Sequence, residues 1–123
     1  MKPTFKTSAI DKAIEKALNE AEANGDTEEV LALLGQSHSR APEDVQLAAR
    51  YAYALRQDEQ IQKAIDVLRP FSSENEKNVD AITENAMAHL SLGDYEEAER
   101  LAQDVIALDE KNARAYLALG TAQ

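Results

Sequence analysis

Twenty-three Asp and Glu side chains against thirteen Lys and Arg make carboxylate pairs easy to draw, so acid–base chemistry is the first class to consider. Glu96, Glu97 and Glu99 lie close together in sequence. A working acid–base pair needs a carboxyl desolvated enough to shift its pKa. This group instead follows Gly93-Asp94, a helix-start signal, where negative charge complements the helix dipole and Glu96 is spaced to pair with Arg100. His38 and His89 are far apart, neither has a His four residues on, and the chain has no Cys, so no metal set is expected. His89 falls at a packing position and is expected in the core; His38 is expected at a helix end. Gly35-Gln36-Ser37-His38 invites a hydrolase reading, but no pattern places an acid–base partner beside it. Phosphate-binding loops, the G-x-S-x-G elbow and H-E-x-x-H are all missing from the sequence. No catalytic, cofactor-binding or metal-binding residue is expected, and the chain is expected not to be an enzyme.

The composition says what kind of scaffold could be present instead. Hydrophobic residues make up 44% of 123 residues, but aromatics only 5% and Trp is missing. That apolar content is mostly Ala and Leu, which suits closely approaching helices rather than a sheet core rich in Val, Ile and Tyr. The net charge of −10 opposes nucleic-acid binding, which needs cations to replace phosphate counterions, and it opposes anionic membrane surfaces. No apolar run reaches the ~20 residues of a membrane span. The start, with Lys2 and Lys6, has no apolar stretch of signal-peptide length. A soluble chain is expected, cytoplasmic, or periplasmic if a leader was removed.

Set against itself, the chain repeats every 34 residues. Small residues align at Ala52, Ala86 and Gly120, and again at Ala64 and Ala98 with Val30 before them. Bulkier columns run Ile14, Ala48, Ile82, Tyr116 and Leu33, Val67, Leu101. Gly25 and Gly93 stand two periods apart with Glu59 between them. Each Gly precedes an Asp with a Glu three residues further on (Asp26 with Glu29, Asp94 with Glu97). Gly favours the left-handed turn that stops one helix, and the Asp…Glu pair is spaced as a capping box for the next. Asn78 and Asn112 read as N-caps, and Pro42 suits the first turn of the helix after it. Helices are therefore predicted over 8–24, 27–39, 43–57, 59–71, 79–92, 95–109 and 113 to the end. Each is near the length at which an isolated helix is marginal in water, so stability must come from stacking, with Ala or Gly at the crossings.

Tyr116-x2-Leu119-Gly120, Ile82-x2-Asn85-Ala86-x2-His89 and Gly93-Asp94-Tyr95-Glu96-Glu97-Ala98 together resemble the tetratricopeptide repeat family over residues 11–123. Pro42 matches that family's terminal Pro, whereas Glu76 and Glu110 replace it later, and Leu68 and Ala102 stand where Phe is preferred. The resemblance implies an all-α, right-handed solenoid of antiparallel helix pairs forming a single domain. Its repeats are expected at about 11–44, 45–78 and 79–112, with the first helix of a fourth over 113–123. A solenoid's last helix normally presents a polar outer side, so Tyr116, Leu117 and Leu119 are expected to be partly uncovered. Either the natural protein continues, or this end packs on another copy in a homo-oligomer.

The resemblance also implies a use. In this family the first helix of each pair lines a curved groove that holds a partner. Carried onto this sequence, those places are Lys12, Glu15, Asn19 and Glu22, then Gln46, Ala49, Tyr53 and Arg56, then Asp80, Thr83, Met87 and Leu90, and finally Arg114 and Leu117. Tyr53, Met87 and Leu90 could form an apolar seat for a protein or peptide ligand, or could only complete the packing. The clamp by which some relatives hold acidic chaperone tails is not expected. Glu15, Asp80 and Glu84 stand at its basic places and would repel such a tail. The phrase Ala113-Arg114-Ala115-Tyr116-Leu117-Ala118-Leu119-Gly120 also resembles bacterial Tad-type pilus-assembly repeat proteins, which implies an envelope setting. The expected role is a non-catalytic interaction scaffold, with self-association or linkage to a further domain as the alternative.

Overall fold

Three backbone positions spaced 34 apart take the left-handed conformation: Gly25 (φ 69°), Glu59 (φ 63°) and Gly93 (φ 82°). The same hydrogen-bond pair closes each turn. The amides of Gly25, Glu59 and Gly93 donate to Glu22, Arg56 and Leu90, and the amides of Asp26, Gln60 and Asp94 donate back to Ala21, Leu55 and His89 at 2.8–2.9 Å. This is the Schellman closure, which satisfies carbonyls that a helix end would otherwise leave bare. Between these turns the computed structural model, which describes residues 10–73 and 75–122 with the side chains at 113, 117, 118, 121 and 122 left aside, shows helices throughout. They are α1 (Lys12–Ala23), α2 (Thr27–Arg40), α3 (Val45–Gln57), α4 (Ile61–Leu68), α5 (Val79–Ser91), α6 (Tyr95–Leu108) and α7 (Ala113–Ala122). Among the described residues there is no strand. The helices stack as antiparallel pairs into a right-handed solenoid.

Four boundaries differ from the sequence reading by two residues or more, each for a local reason. The first helix starts at Lys12 because Asp11 caps it, accepting from Ile14 N at 2.9 Å; positions 8 and 9 lie outside the described residues. The third starts at Val45 because Asp44 accepts from Leu47 N at 3.0 Å, which leaves Pro42 in the turn before the helix rather than in its first turn. The fourth begins at Ile61, since Glu59 is used in the turn. It gives way after Leu68 to a 3-10 turn, Arg69–Phe71, because Pro70 has no amide to donate back along the helix. The two predicted capping boxes are not completed: the Asp94 side chain makes no cap hydrogen bond and lies 3.2 Å from His89 Nδ1 instead, and only half of the Asp26 box forms. Asp26 accepts from Glu29 N at 3.2 Å, but its own amide is already committed to Ala21, so Glu29 has nothing to reach back to. Asn78 and Asn112 do cap their helices, accepting from Ala81 and Ala115.

Two apolar clusters hold the stack. One gathers Leu18, Leu34, Leu47, Leu55 and Leu68 with Tyr51, Ala52, Ala64 and Ala81; the other gathers Ile82, Ala86, Leu101, Val105 and Ala115. Helix α5 supplies both, through Ala81 on one side and Ile82 and Ala86 on the other. Each fully buried Leu contributes about 1.5–3 kcal/mol, which outweighs what helices of this length lack on their own. The small column is buried at Ala52 and Ala86, whereas at Gly120 an added Cβ would meet nothing within 4 Å. Gly35 is a different case: its missing Cβ makes room for the Tyr51 hydroxyl, which would lie 3.1 Å away.

Glu59 is the one residue other than Gly with positive φ among those described. A side chain there costs about 1–2 kcal/mol, partly offset by the unfolded-chain freedom that Gly would add. Glu59→Gly is therefore expected to raise stability by about 0.5–1 kcal/mol in urea unfolding; a loss would mean that another interaction of Glu59 outweighs the strain.

Candidate functional site

The first helices of the pairs, α1, α3, α5 and α7, form one wall. Helix α3 packs on α5 and α5 on α7, while α1 rests chiefly on α2. Between α1 and α3, and lined also by Thr27, Val30 and Leu34 of α2, lies a cleft of about 640 Å³. Ala21, Val30, Leu34 and Ala54 give it an apolar lining; Glu15, Asn19, Glu22, Arg50, Tyr53 and Gln57 supply the polar and aromatic part. Arg50 crosses from α3 to α1, donating to both Glu15 oxygens at 2.9 and 3.0 Å and lying 3.5 Å from Glu22. This forked geometry fixes both partners. Burial opposes the charge on Arg50, but its bonds to Glu15 and Glu22 win and raise its pKa above the ordinary value.

Beyond Tyr53 a second charged group crosses three helices. Glu84 on α5 is 1% exposed. Its Oε2 meets Arg114 of α7 at 2.5 Å and its Oε1 meets Arg56 of α3 at 3.4 Å. Both guanidiniums also lie against the Tyr53 ring, 5.5 and 5.6 Å from its centroid, at cation–π distance. Burial drives the Glu84 pKa up, and the two arginines pull against that without cancelling it. Tyr53 thus stands between the cleft and the arginine pair.

Of the residues singled out from sequence, Glu15, Asn19, Glu22 and Tyr53 meet at the cleft, and Tyr53, Arg56 and Arg114 meet around Glu84. Lys12 is exposed; Gln46, Asp80, Met87 and Leu90 are half-buried. Ala49 and Thr83 are buried, so their side chains are not offered to a ligand. The side chain of Leu117 lies outside the described residues; Tyr116 on the same helix is 50% exposed. Arg50 and the buried position of Glu84 were missed. Their signal was faint: they are 34 apart and form one charged column of the repeat.

The residues weighed for chemistry are occupied structurally. The Ser37 hydroxyl donates to Leu33 O at 2.9 Å. His38, in the last turn of α2, is half-buried against Tyr51, and burial lowers its pKa. His89 is not a core residue: it is half-buried at the end of α5 and lies 3.2 Å from Asp94. Arg100 bonds Glu97 and Asp104. Among the described residues no group of three or more His, Asp or Glu could hold a metal, and no helix is long and apolar enough to cross a membrane.

A family profile described as tetratricopeptide repeat matches residues 55–122, more than half of the sequence. The chain belongs to the tetratricopeptide repeat family. Solved tetratricopeptide domains share its fold. The Arabidopsis OM64 domain superposes with TM-score 0.78 at 18% identity, over 90% of this chain and 92% of that one. The Aspergillus fumigatus Sgt2 domain does so with TM-score 0.77 at 20% identity, over 95% and 82%. The first tetratricopeptide domain of Spaghetti (RPAP3), bound to the HSP90 peptide SRMEEVD, gives TM-score 0.78 at 18% identity, over 94% and 95%. No curated protein sequence matches the chain. The pilus-assembly resemblance has no counterpart among the domains named here.

Proposed function

We propose that this tetratricopeptide domain is a non-catalytic interaction scaffold, with repeats over 11–44, 45–78, 79–112 and 113–123, that holds a peptide or helix of a partner protein along the wall formed by α1, α3, α5 and α7. The observation that carries this reading is the cleft between α1 and α3, about 640 Å³ with an apolar floor and Tyr53 at its edge. A concave apolar site with a few fixed polar groups is the usual form of a binding site, and an aromatic held by packing and cations is a low-entropy anchor. A similar fold holds a peptide in Spaghetti (RPAP3), which supports the same use of the wall here. An envelope assembly is the setting that the sequence resemblance suggests for the partner.

The Tyr53→Ala, Arg56→Glu double variant tests it. In pull-downs from cells producing the protein, proteins captured by the wild type are expected to be lost from the variant, while circular dichroism shows that its helices persist. Equal capture by both would remove the groove as the binding surface.

A further inference from the structure

We infer that the cleft between α1 and α3 takes an apolar side chain of the partner segment with a Lys or Arg beside it. This rests on the groove reading above and adds to it the chemistry of the ligand. The cleft has a cause in the sequence. At the two columns where small residues let helices cross closely, the second pair carries Ala52 and Ala64 and the third Ala86 and Ala98, all at most 1% exposed. The first pair carries Leu18 and Val30 there. Helix spacing follows the size of the side chains at the crossing, so the added volume keeps the first pair from closing. Accordingly, α1 is not packed against α3 in the way that α3 is packed against α5. Leu18 itself is fully buried, whereas Val30, Ala54 and Tyr53 line the cleft only half-buried. They offer apolar surface that a partner side chain can cover.

The rim sets the charge of the ligand. Glu15, Glu22 and Asp26 line the cleft against a single cation, Arg50. Arg50 is itself forked onto Glu15 and lies close to Glu22, which ties α3 to α1 and fixes the width of the cleft before anything binds. Asp26, exposed at the rim, gives one oxygen to the Glu29 amide, which leaves the other to a ligand cation. Asn19, Thr27 and Gln57, also exposed on the lining, add donors and acceptors for the backbone of the segment. An apolar side chain seated on Val30 and Ala54 brings its neighbours in sequence over these carboxylates, where a Lys or Arg is drawn in.

The test follows backbone amides by NMR as the peptide GKLFKG is added. The amides of Gly25, Thr27, Val30 and Gln57 are expected to shift. The Kd is expected to be at least about fivefold below that of GQLFQG, which lacks the charge, and of GKSSKG, which lacks the apolar pair. Asp26→Asn removes a charge but keeps an equally good N-cap. Glu110→Gln, exposed in the turn between α6 and α7, removes the same charge away from the cleft. Asp26→Asn is expected to weaken GKLFKG about threefold, and Glu110→Gln by less than about 1.5-fold. Shifts confined to other helices, or GQLFQG or GKSSKG binding as tightly as GKLFKG, overturn the inference. So does an equal loss in both variants, since the net charge of −10 would then account for the binding. Should Asp26→Asn fail to fold, the three peptides on the wild type decide alone. Binding that arises only once residues 1–9 are removed gives the cleft to the chain's own start, and a dimer that GKLFKG dissolves in sedimentation gives it to a second copy; either overturns the inference. If the Tyr53, Arg56 double variant loses its cellular partners while GKLFKG fails to reach the cleft, the groove reading stands and only its ligand chemistry falls.

Discussion

Glu84→Ala is expected to lower folding stability by about 3 kcal/mol and the melting temperature by roughly 10 °C. Removing the carboxylate leaves the Arg56 and Arg114 side chains, only 12% and 16% exposed, without their shared counter-ion. An uncompensated cation near a packed core costs far more than a surface pair contributes. Glu84→Gln should lose less, since its amide oxygen still accepts from a guanidinium. The pH dependence reports on how burial governs this carboxyl. Burial raises the Glu84 pKa in the folded chain above its unfolded value, so the folded state binds the proton more readily. That contribution is fully present below the unfolded pKa and is lost as pH rises through the raised folded pKa. The advantage of wild type over Glu84→Gln should therefore be larger at about pH 4 than at pH 7 in urea unfolding. A constant difference would mean that burial does not govern the titration of this carboxyl.

Ala86→Leu is expected to cost about 1–3 kcal/mol through overpacking. Ala86 is 1% exposed and shares its cluster with Ile82, Leu101, Val105 and Ala115. Interiors are packed too densely to take a longer side chain without displaced rotamers or helices. Its register mate Gly120 is the internal control. A Cβ there meets nothing within 4 Å, so Gly120→Ala should be neutral or should stabilise by up to about 1 kcal/mol. Thermal melts in which Ala86→Leu costs nothing would show that this position of the 34-residue register does not mark a helix crossing.

The helices and their turns were legible because their causes are local. Gly25-Asp26 and Gly93-Asp94 announce a stop and a start, and Asn78 and Asn112 announce caps. Glu59 was legible only through the period: its position matches the two glycines, but its side chain argues for helix, and the helix was accordingly started two residues early. Pro70 is a plain stop signal inside the predicted 59–71 helix, and its effect is the 3-10 turn after Leu68. The site was harder. Tyr53, Arg56 and Arg114 could be placed on one wall through the family resemblance, but a helical Glu reads by default as solvated. Glu84 finds its partners 28 and 30 residues away, across two helix contacts that no local pattern encodes. The clue was its own helix. Between Ala81 and Ala88 only Met87 escapes burial, which marks a segment covered from both sides, where an ionised group needs company. Arg50 was missed for the same reason: its partners Glu15 and Glu22 lie on another helix.

That α5 belongs to both apolar clusters has a consequence for the chain as it is made. Synthesis delivers α1 to α4 first, yet Ala81, which helps to close their cluster, arrives only with α5. Until then the newborn segment keeps a greasy flank open in the crowded cell, a state that invites wrong partners. The growing polypeptide therefore passes through a vulnerable interval, which ends when its fifth helix clears the ribosome and shuts the door on what came before.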